Sequence, residues 1–146
     1  VRSSAASDVY KRQLQTGRPW QPMAEDTLAD SIAVGVPRNP DKALRAIRES
    51  DGVAVNVSDG EILEAMRLLG RTQGVFGEPA GAAGTAGVKK AVELGLIPAG
   101  STVVSIVTGN GLKDVQSGIQ AAGEPMRVSP DMDALLAAFA AQDIRP

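Results

Sequence analysis

Apolar positions along this chain follow two rhythms that alternate, one of helical period and one of short branched aliphatic runs. Behind Asn39-Pro40, an N-cap residue followed by a proline suited to the first helical turn, Ala43, Leu44 and Ile47 make one face of a helix predicted to reach about Ser50. Gly52 lies just past that end, as C-terminal capping prefers. Val53-Ala54-Val55-Asn56-Val57 alternates and is β-branched, which predicts a short strand. Ser58 with Glu61 three residues later is a capping-box pattern, and Ile62, Leu63, Met66 and Leu69 then recur at helical spacing. Gly70 and Gly74 bracket the end of that helix. A third helix follows Glu78-Pro79 and is unusually rich in Gly and Ala. Each interior glycine costs about 1 kcal/mol of helix propensity against alanine, so Gly81, Gly84 and Gly87 imply close approach by a neighbour or a ligand. Gly95 and Pro98-Ala99-Gly100 end it and lead into residues 102–107, TVVSIV, a predicted buried strand. Ser129-Pro130 is expected to cap a last amphipathic helix with Met132, Leu135, Leu136 and Phe139 on one side.

Upstream of these elements, residues 14–26 are polar with two prolines and read as a loop. Residues 27–36 read as an extended segment whose central Asp30-Ser31 pair faces something polar. Alternation of strand and helix without internal repeats predicts an α/β fold with a parallel or mixed sheet. Residues 3–13, SSAASDVYKRQ, have a different character. Their last six residues are what GAT GTG TAT AAG AGA CAG specifies, which resembles a transposon-end sequencing adaptor read in frame. Residues 1–13 are therefore expected to be an unstructured adaptor artefact on a truncated gene product. The competing reading, a basic targeting arm, lacks the apolar stretch a secretory signal needs behind Arg2, Lys11 and Arg12. The expected organisation is 1–13 artefact, 14–126 partial α/β domain, 127–146 C-terminal amphipathic helix.

Composition narrows the chemistry. The 146 residues carry a net charge of −2, with Lys and Arg scattered among Asp and Glu, so no footprint for nucleic acid or an anionic membrane is expected. No apolar run approaches the roughly 20 residues that span a bilayer. The chain has no cysteine and no histidine, which excludes disulfides, thiol nucleophiles, Cys/His zinc sites and Ser-His-Asp triads within it. With aromatics at 3%, the core must be built from small and branched aliphatic side chains packed closely.

The most informative stretch is Thr108-Gly109-Asn110-Gly111-Leu112-Lys113-Asp114, directly after the 102–107 run. At the carboxyl end of a sheet strand, such a turn faces the crevice where ligands bind in open α/β folds. A hydroxyl on Thr108 can bond a ring nitrogen or a phosphate, and Gly109 and Gly111 remove side chains that would hold the backbone off a ligand.

Four blocks in order carry a resemblance: TLADSIAVGVPRN at 27–39, ALRAIRES at 43–50 with Gly52, VSDGEILEAMRLL at 57–69 joined to GVFGEPAGAAGTAG at 74–87, and VVSIVTGNGLKD at 103–114. Together they resemble the C-terminal part of the threonine synthases, pyridoxal 5′-phosphate enzymes of the tryptophan-synthase-β-like family. The resemblance implies fold type II, of which this chain would hold an incomplete sheet flanked by helices. It implies that Thr108 donates to the pyridine nitrogen, with Gly109 and Asn110 in the same cofactor-binding loop. A neutral donor there moderates the electron sink that a carboxylate would maximise. By the same resemblance Glu78, opening the EPAGAA block, borders the ring, and Ala29 offers its backbone to the cofactor's face. Gly81 departs from the serine frequent at that place, which puts a polar contact there in doubt. Asp30 reads equally as a turn former, and Arg38 as a solvated arginine or a phosphate ligand.

The resemblance also implies what is missing. The family's Schiff-base lysine and its glycine-rich phosphate loop lie in an N-terminal half absent here, and Lys42, Lys89, Lys90 and Lys113 stand in other contexts. No catalytic residue is therefore assigned, and this polypeptide alone is expected to be inactive. Its parent would convert O-phospho-L-homoserine and water to L-threonine and phosphate, in the cytoplasm, as a homodimer. Two alternatives stand beside this reading. One is a threonine or serine dehydratase, whose relatives tend to show SGGN where this chain has TGNG. The other is a non-catalytic domain that binds a phosphate-bearing ligand between Thr108, Asn110 and the helix opening at Pro79.

Overall fold

The structure, a computed structural model, describes residues 5–142 and residue 144. Its helices are α1 (Ala5–Thr16), α2 (Pro40–Glu49), α3 (Asp59–Gln73), α4 (Pro79–Glu93), α5 (Val115–Ala122) and α6 (Met132–Ala141), with 3₁₀ turns at Asp30–Ile32 and Gly111–Lys113. No strand forms among the described residues, which corrects the expected incomplete sheet; a single antiparallel bridge joins Gly77 to Asn110. The reason is physical. A helix closes its hydrogen bonds within itself, whereas a strand needs a neighbour, and segments 53–57 and 102–107 find none among the described residues. Residues 102–107 keep a period of two all the same. Ser105 leans on α4, its Oγ 3.1 Å from Thr85 Oγ1, and Val107 lies against Gly77, while Val104 and Ile106 are 84% and 75% exposed.

The helices follow their capping chemistry closely. At the start of α3 the Glu61 amide donates to Ser58 Oγ (3.3 Å) and the Ser58 amide to Glu61 Oε2 (2.6 Å), the full reciprocal box. Gly74 ends the helix at φ 64°, so the glycine does what a side-chain-bearing residue resists. At the end of α2 the left-handed position is Asp51 (φ 49°), not Gly52, whose amide donates to Ile47 O. Asp131, not Ser129, caps α6, its Oδ2 accepting from the Ala134 amide at 2.9 Å. No residue of α6 is buried; Met132 and Leu136 on its expected inner side are exposed. Helix α5 was not anticipated from the sequence, and Asp114 starts it by accepting from the Ser117 amide. From Ala5 onward the N-terminal segment is helical, where the sequence led us to expect no structure; Tyr10 is buried and α1 touches α2.

The core lies between α3 and α4. Ile62, Leu63, Ala65 and Met66 from α3 meet Ala82, Ala83 and Ala86 from α4, with Ala29 and Ala121 closing the cluster. Alanines on α4 let the two helices come close, while Gly81 and Gly84 face the 105–109 segment on another side, the close approach that these glycines implied. A Cβ on Gly81 would sit 3.0 Å from the Gly109 amide nitrogen and 3.1 Å from its oxygen. Helix α5 is tied on through Arg67, whose Nε donates to Ala121 O at 2.6 Å.

Candidate functional site

Two loops meet at the N-terminus of α4. The Glu78 amide donates to Gly109 O (3.0 Å) and the Gly111 amide to Phe76 O (2.9 Å), so residues 76–78 and 109–111 run past each other and are locked in register. This bridge seats the Thr108-Gly109-Asn110 turn on the first residues of α4. Gly109 leaves the space that the Glu78 carboxyl occupies: an added Cβ would require that side chain to move. Gly81 serves the same approach from the helix side.

Against this seam lies a cavity of about 320 Å³ lined by Ala29, Asp30, Ser31, Glu78, Pro79, Ala80, Lys113 and Asp114. Of the residues expected from the sequence, Ala29 and Glu78 line it, and Gly109 stands directly behind Glu78. Thr108 is exposed at the end of the 102–107 run, one residue from that wall and outside the lining. Asn110 has a local duty: its Oδ1 accepts from the Leu112 amide at 2.9 Å and starts the 3₁₀ turn. Arg38 is exposed and lines no part of the cavity. Asp30, read as a turn former, opens the Asp30–Ile32 turn and faces the cavity as well.

The cavity also holds Ser31, read in the sequence as part of a polar-facing pair, and two residues given no role there. Ser31, Lys113 and Asp114 line the cavity, and the signal for the last two was their place in the TGNGLKD string itself. Asp114 is held below the ordinary carboxylate value by the Ser117 amide and hydroxyl, against a smaller opposing effect of burial. It is therefore a charged helix cap at the cavity's edge. The carboxylates of Asp30, Glu78 and Asp114 outnumber the Lys113 ammonium, so the cavity wall in this chain is acidic on balance.

These residues suit one flank of a flat aromatic ring. Small side chains at Ala29 and Ala80 leave backbone close to the cavity, and Thr108 lies outside its lining, on the turn whose Gly109 packs behind Glu78. Cationic side chains that would gather a phosphate are not among them, Lys113 apart.

The family of pyridoxal-phosphate-dependent enzymes matches over residues 1–109, and the chain belongs to it. Within that class the similarity is to threonine synthases. The chain is 46% identical over 110 residues to the threonine synthase of Methanocaldococcus jannaschii, covering 75% of this chain and 27% of that protein. It is 47% identical over 116 residues to the threonine synthase of Synechocystis sp., covering 77% and 30%. Among solved structures, threonine synthase from Escherichia coli superposes with a TM-score of 0.59 at 22% identity, over 90% of this chain and 30% of that one, a likeness of fold. The chain thus spans between a quarter and a third of the length of the relatives it matches. The fold likeness supports fold type II even though the helices alone are formed here.

Proposed function

We propose that this chain is the C-terminal part of a threonine synthase and forms one flank of its pyridoxal 5′-phosphate site. The intact protein would convert O-phospho-L-homoserine and water to L-threonine and phosphate. The observation that carries the reading is the Gly77–Asn110 bridge, which brings the TGNG turn onto Glu78 in a chain 46–47% identical to threonine synthases. When bound, the cofactor supplies an electron sink for charge developing on the substrate carbons. This chain's own part is to hold and to orient. Thr108 would offer its hydroxyl proton to the ring nitrogen, a neutral donor that leaves the ring a moderate sink. Glu78 would fix the turn by packing against Gly109, and Ala29 with Ala80 would lie close to the ring face. Gly109 and Asn110 would shape the same edge through backbone.

The lysine that carries the cofactor and the phosphate-binding loop are assigned to polypeptide upstream of Leu14. The adaptor reading of residues 1–13 stands as part of the proposal, against a buried Tyr10 in α1 and a family match that begins at residue 1. A cytoplasmic location, a homodimeric parent and a small-molecule substrate belong to the same proposal; no described helix is long and apolar enough to cross a membrane. The relatives reported above are threonine synthases, so the dehydratase and the free-standing phosphate-binding domain are not favoured.

Two measurements test it. The reading frame upstream of Leu14, taken from an independent genomic library, should encode a lysine in a Ser-Phe-Lys-Asp-like setting, and its absence would remove the enzyme assignment. In the rebuilt intact protein, Thr108→Val should shift the cofactor absorbance and lower phosphate release from O-phospho-L-homoserine by an order of magnitude or more. Unchanged absorbance and turnover would show that the site is misassigned.

A further inference from the structure

The cavity has one wall whose position needs explaining. The side of Glu78, Pro79 and Ala80 belongs to α4 and is as firm as that helix. The side of Ala29, Asp30 and Ser31 is the start of the short Asp30–Ile32 turn, which follows a stretch with no regular structure from the end of α1. Yet Ala29 is 1% exposed and sits in the α3–α4 core.

Asp59, the first residue of α3, accounts for this. It has no duty in capping its own helix, because Ser58 and Glu61 complete the box without it. Its carboxylate instead reaches across more than thirty positions of sequence. Oδ1 accepts from the Thr27 hydroxyl at 2.6 Å and Oδ2 accepts from the Leu28 amide at 3.0 Å. The same Thr27 oxygen accepts from the Ala29 amide at 3.2 Å. Three consecutive residues are thus tied to one carboxylate, two directly and one through a hydroxyl. The turn is then built on them: the Asp30 amide donates to Leu28 O, Ile32 to Ala29 O and Ala33 to Asp30 O, at 2.9, 2.9 and 3.0 Å. Leu28 and Ile32 pack on the core from either side of Ala29. Ionised acceptors make the stronger kind of hydrogen bond, and both carboxylate oxygens are used, so the tie is directional as well as strong.

We infer that Asp59 is a positioning residue that holds the Ala29–Ser31 wall of the cavity against α4, an inference that rests on the cofactor reading of that cavity. It touches no ligand itself. Its effect runs through Thr27 and Leu28 to the backbone of Ala29 and Ser31.

The rebuilt intact protein, the parent chain of this test, supports a readout without turnover. Backbone amide exchange is followed in the parent chain and in Asp59→Ala, Asp59→Asn and Thr27→Val, alongside amide chemical shifts on titration with pyridoxal 5′-phosphate. Asp59→Ala should speed exchange at Leu28, Ala29, Ile32 and Ala33 by an order of magnitude or more while α4 amides stay as slow as before. Shifts induced by pyridoxal 5′-phosphate at Ala29 and Ser31 should shrink with it. Asp59→Asn keeps one acceptor oxygen and should restore part of both signals. Thr27→Val leaves the Asp59 charge beside the α3 N-terminus, so it separates the tie from any helix-dipole effect, and it decides the matter if Asp59→Ala loosens the whole chain. Unchanged exchange at residues 28–33 in Thr27→Val and Asp59→Ala would overturn the inference. Faster exchange in the variants, with no shift at Ala29 or Ser31 in the parent chain on adding pyridoxal 5′-phosphate, would overturn the cofactor reading and with it the positioning role, leaving a structural tie alone.

Discussion

Ile62 and Ile106 are the same side chain in two regions that solve the folding problem differently. Ile62, on α3, is 1% exposed among Leu63, Met66 and the alanines of α4; Ile106, in the 102–107 run, is 75% exposed. Both stretches are strongly apolar, so hydrophobicity does not separate them. The backbone does. Helices α3 and α4 satisfy their amides and carbonyls internally and need each other only to cover one face, which is available within this chain. The 102–107 run covers one face on α4 and leaves its other face and both hydrogen-bonding edges open. A chain spanning about a quarter to a third of its relatives' length keeps its helix pair whole, whereas a strand is complete only as part of a sheet.

The contrast can be broken by one matched pair of substitutions. Ile62→Ala removes a buried side chain from a closed cluster and should cost about 2–4 kcal/mol, read as a lower urea midpoint at constant slope. Ile106→Ala should cost less than about 0.5 kcal/mol, since most of that side chain already meets water. Equal costs would mean that the 102–107 run is buried in solution, and the division of the molecule into closed and open regions would fall. A second probe addresses the seam between them. Gly109→Ala places a methyl against the Glu78 carboxyl and should destabilise by about 1–3 kcal/mol, with amide shifts concentrated at residues 76–78.

Ser58→Ala removes one half of the α3 capping box and should cost about 1 kcal/mol, enough to show that the closed region depends on its polar ends as well as its core. For the open region the expected change is in association, not stability. An uncharged run of six residues with unpaired edges invites pairing with other chains. Val104→Lys combined with Ile106→Lys should lower hydrophobic-dye binding and shift sedimentation toward monomer, with the urea midpoint unchanged. A parent chain that is already a clean monomer with no dye binding would contradict the open reading.

What was legible in the sequence follows the same division. Helix-period patterns and caps that act over four residues could be read because their partners are local: the Ser58–Glu61 box, the Pro79 start and the Gly74 stop all appear where the pattern put them. The strands were read correctly as β-branched runs and wrongly as a sheet, because pairing depends on chain that is distant or absent. Residues 108–110 and Glu78 stood out through their motif, and the structure brings Gly109 onto Glu78. Thr27 and Asp59 could not be read as parts of it. Their contacts span more than thirty positions, and no local pattern records them. The capping of α5 by Asp114 was within reach, since an aspartate stands three residues before Ser117, but the short helix behind it has too few apolar residues to announce a face.

The smallest effect sharpens the account of the closed region. Lys90 of α4 reaches the Glu61 carboxylate at 2.9 Å, so the α3 capping box is also an ion pair between the two core helices. Burial works to raise the Glu61 carboxyl, and the Ser58 amide, the Lys90 ammonium and the Ser58 hydroxyl together outweigh it and hold it below its ordinary value. A carboxyl held low in the folded chain adds stability that is complete above the unfolded value of about 4.3 and is lost as pH falls through the lower folded value. Both side chains are about one-third exposed, so water screens the pair and the contribution should be no more than about 0.5 kcal/mol. Glu61→Gln keeps a capping-box partner and removes only the charge. Its melting temperature should therefore fall slightly below the parent's at pH 7, and the gap should close as the pH drops below 4. A gap that persists at pH 3 would assign the Glu61 contribution to cap geometry instead of charge, and the contact between α3 and α4 would then rest on their apolar faces alone.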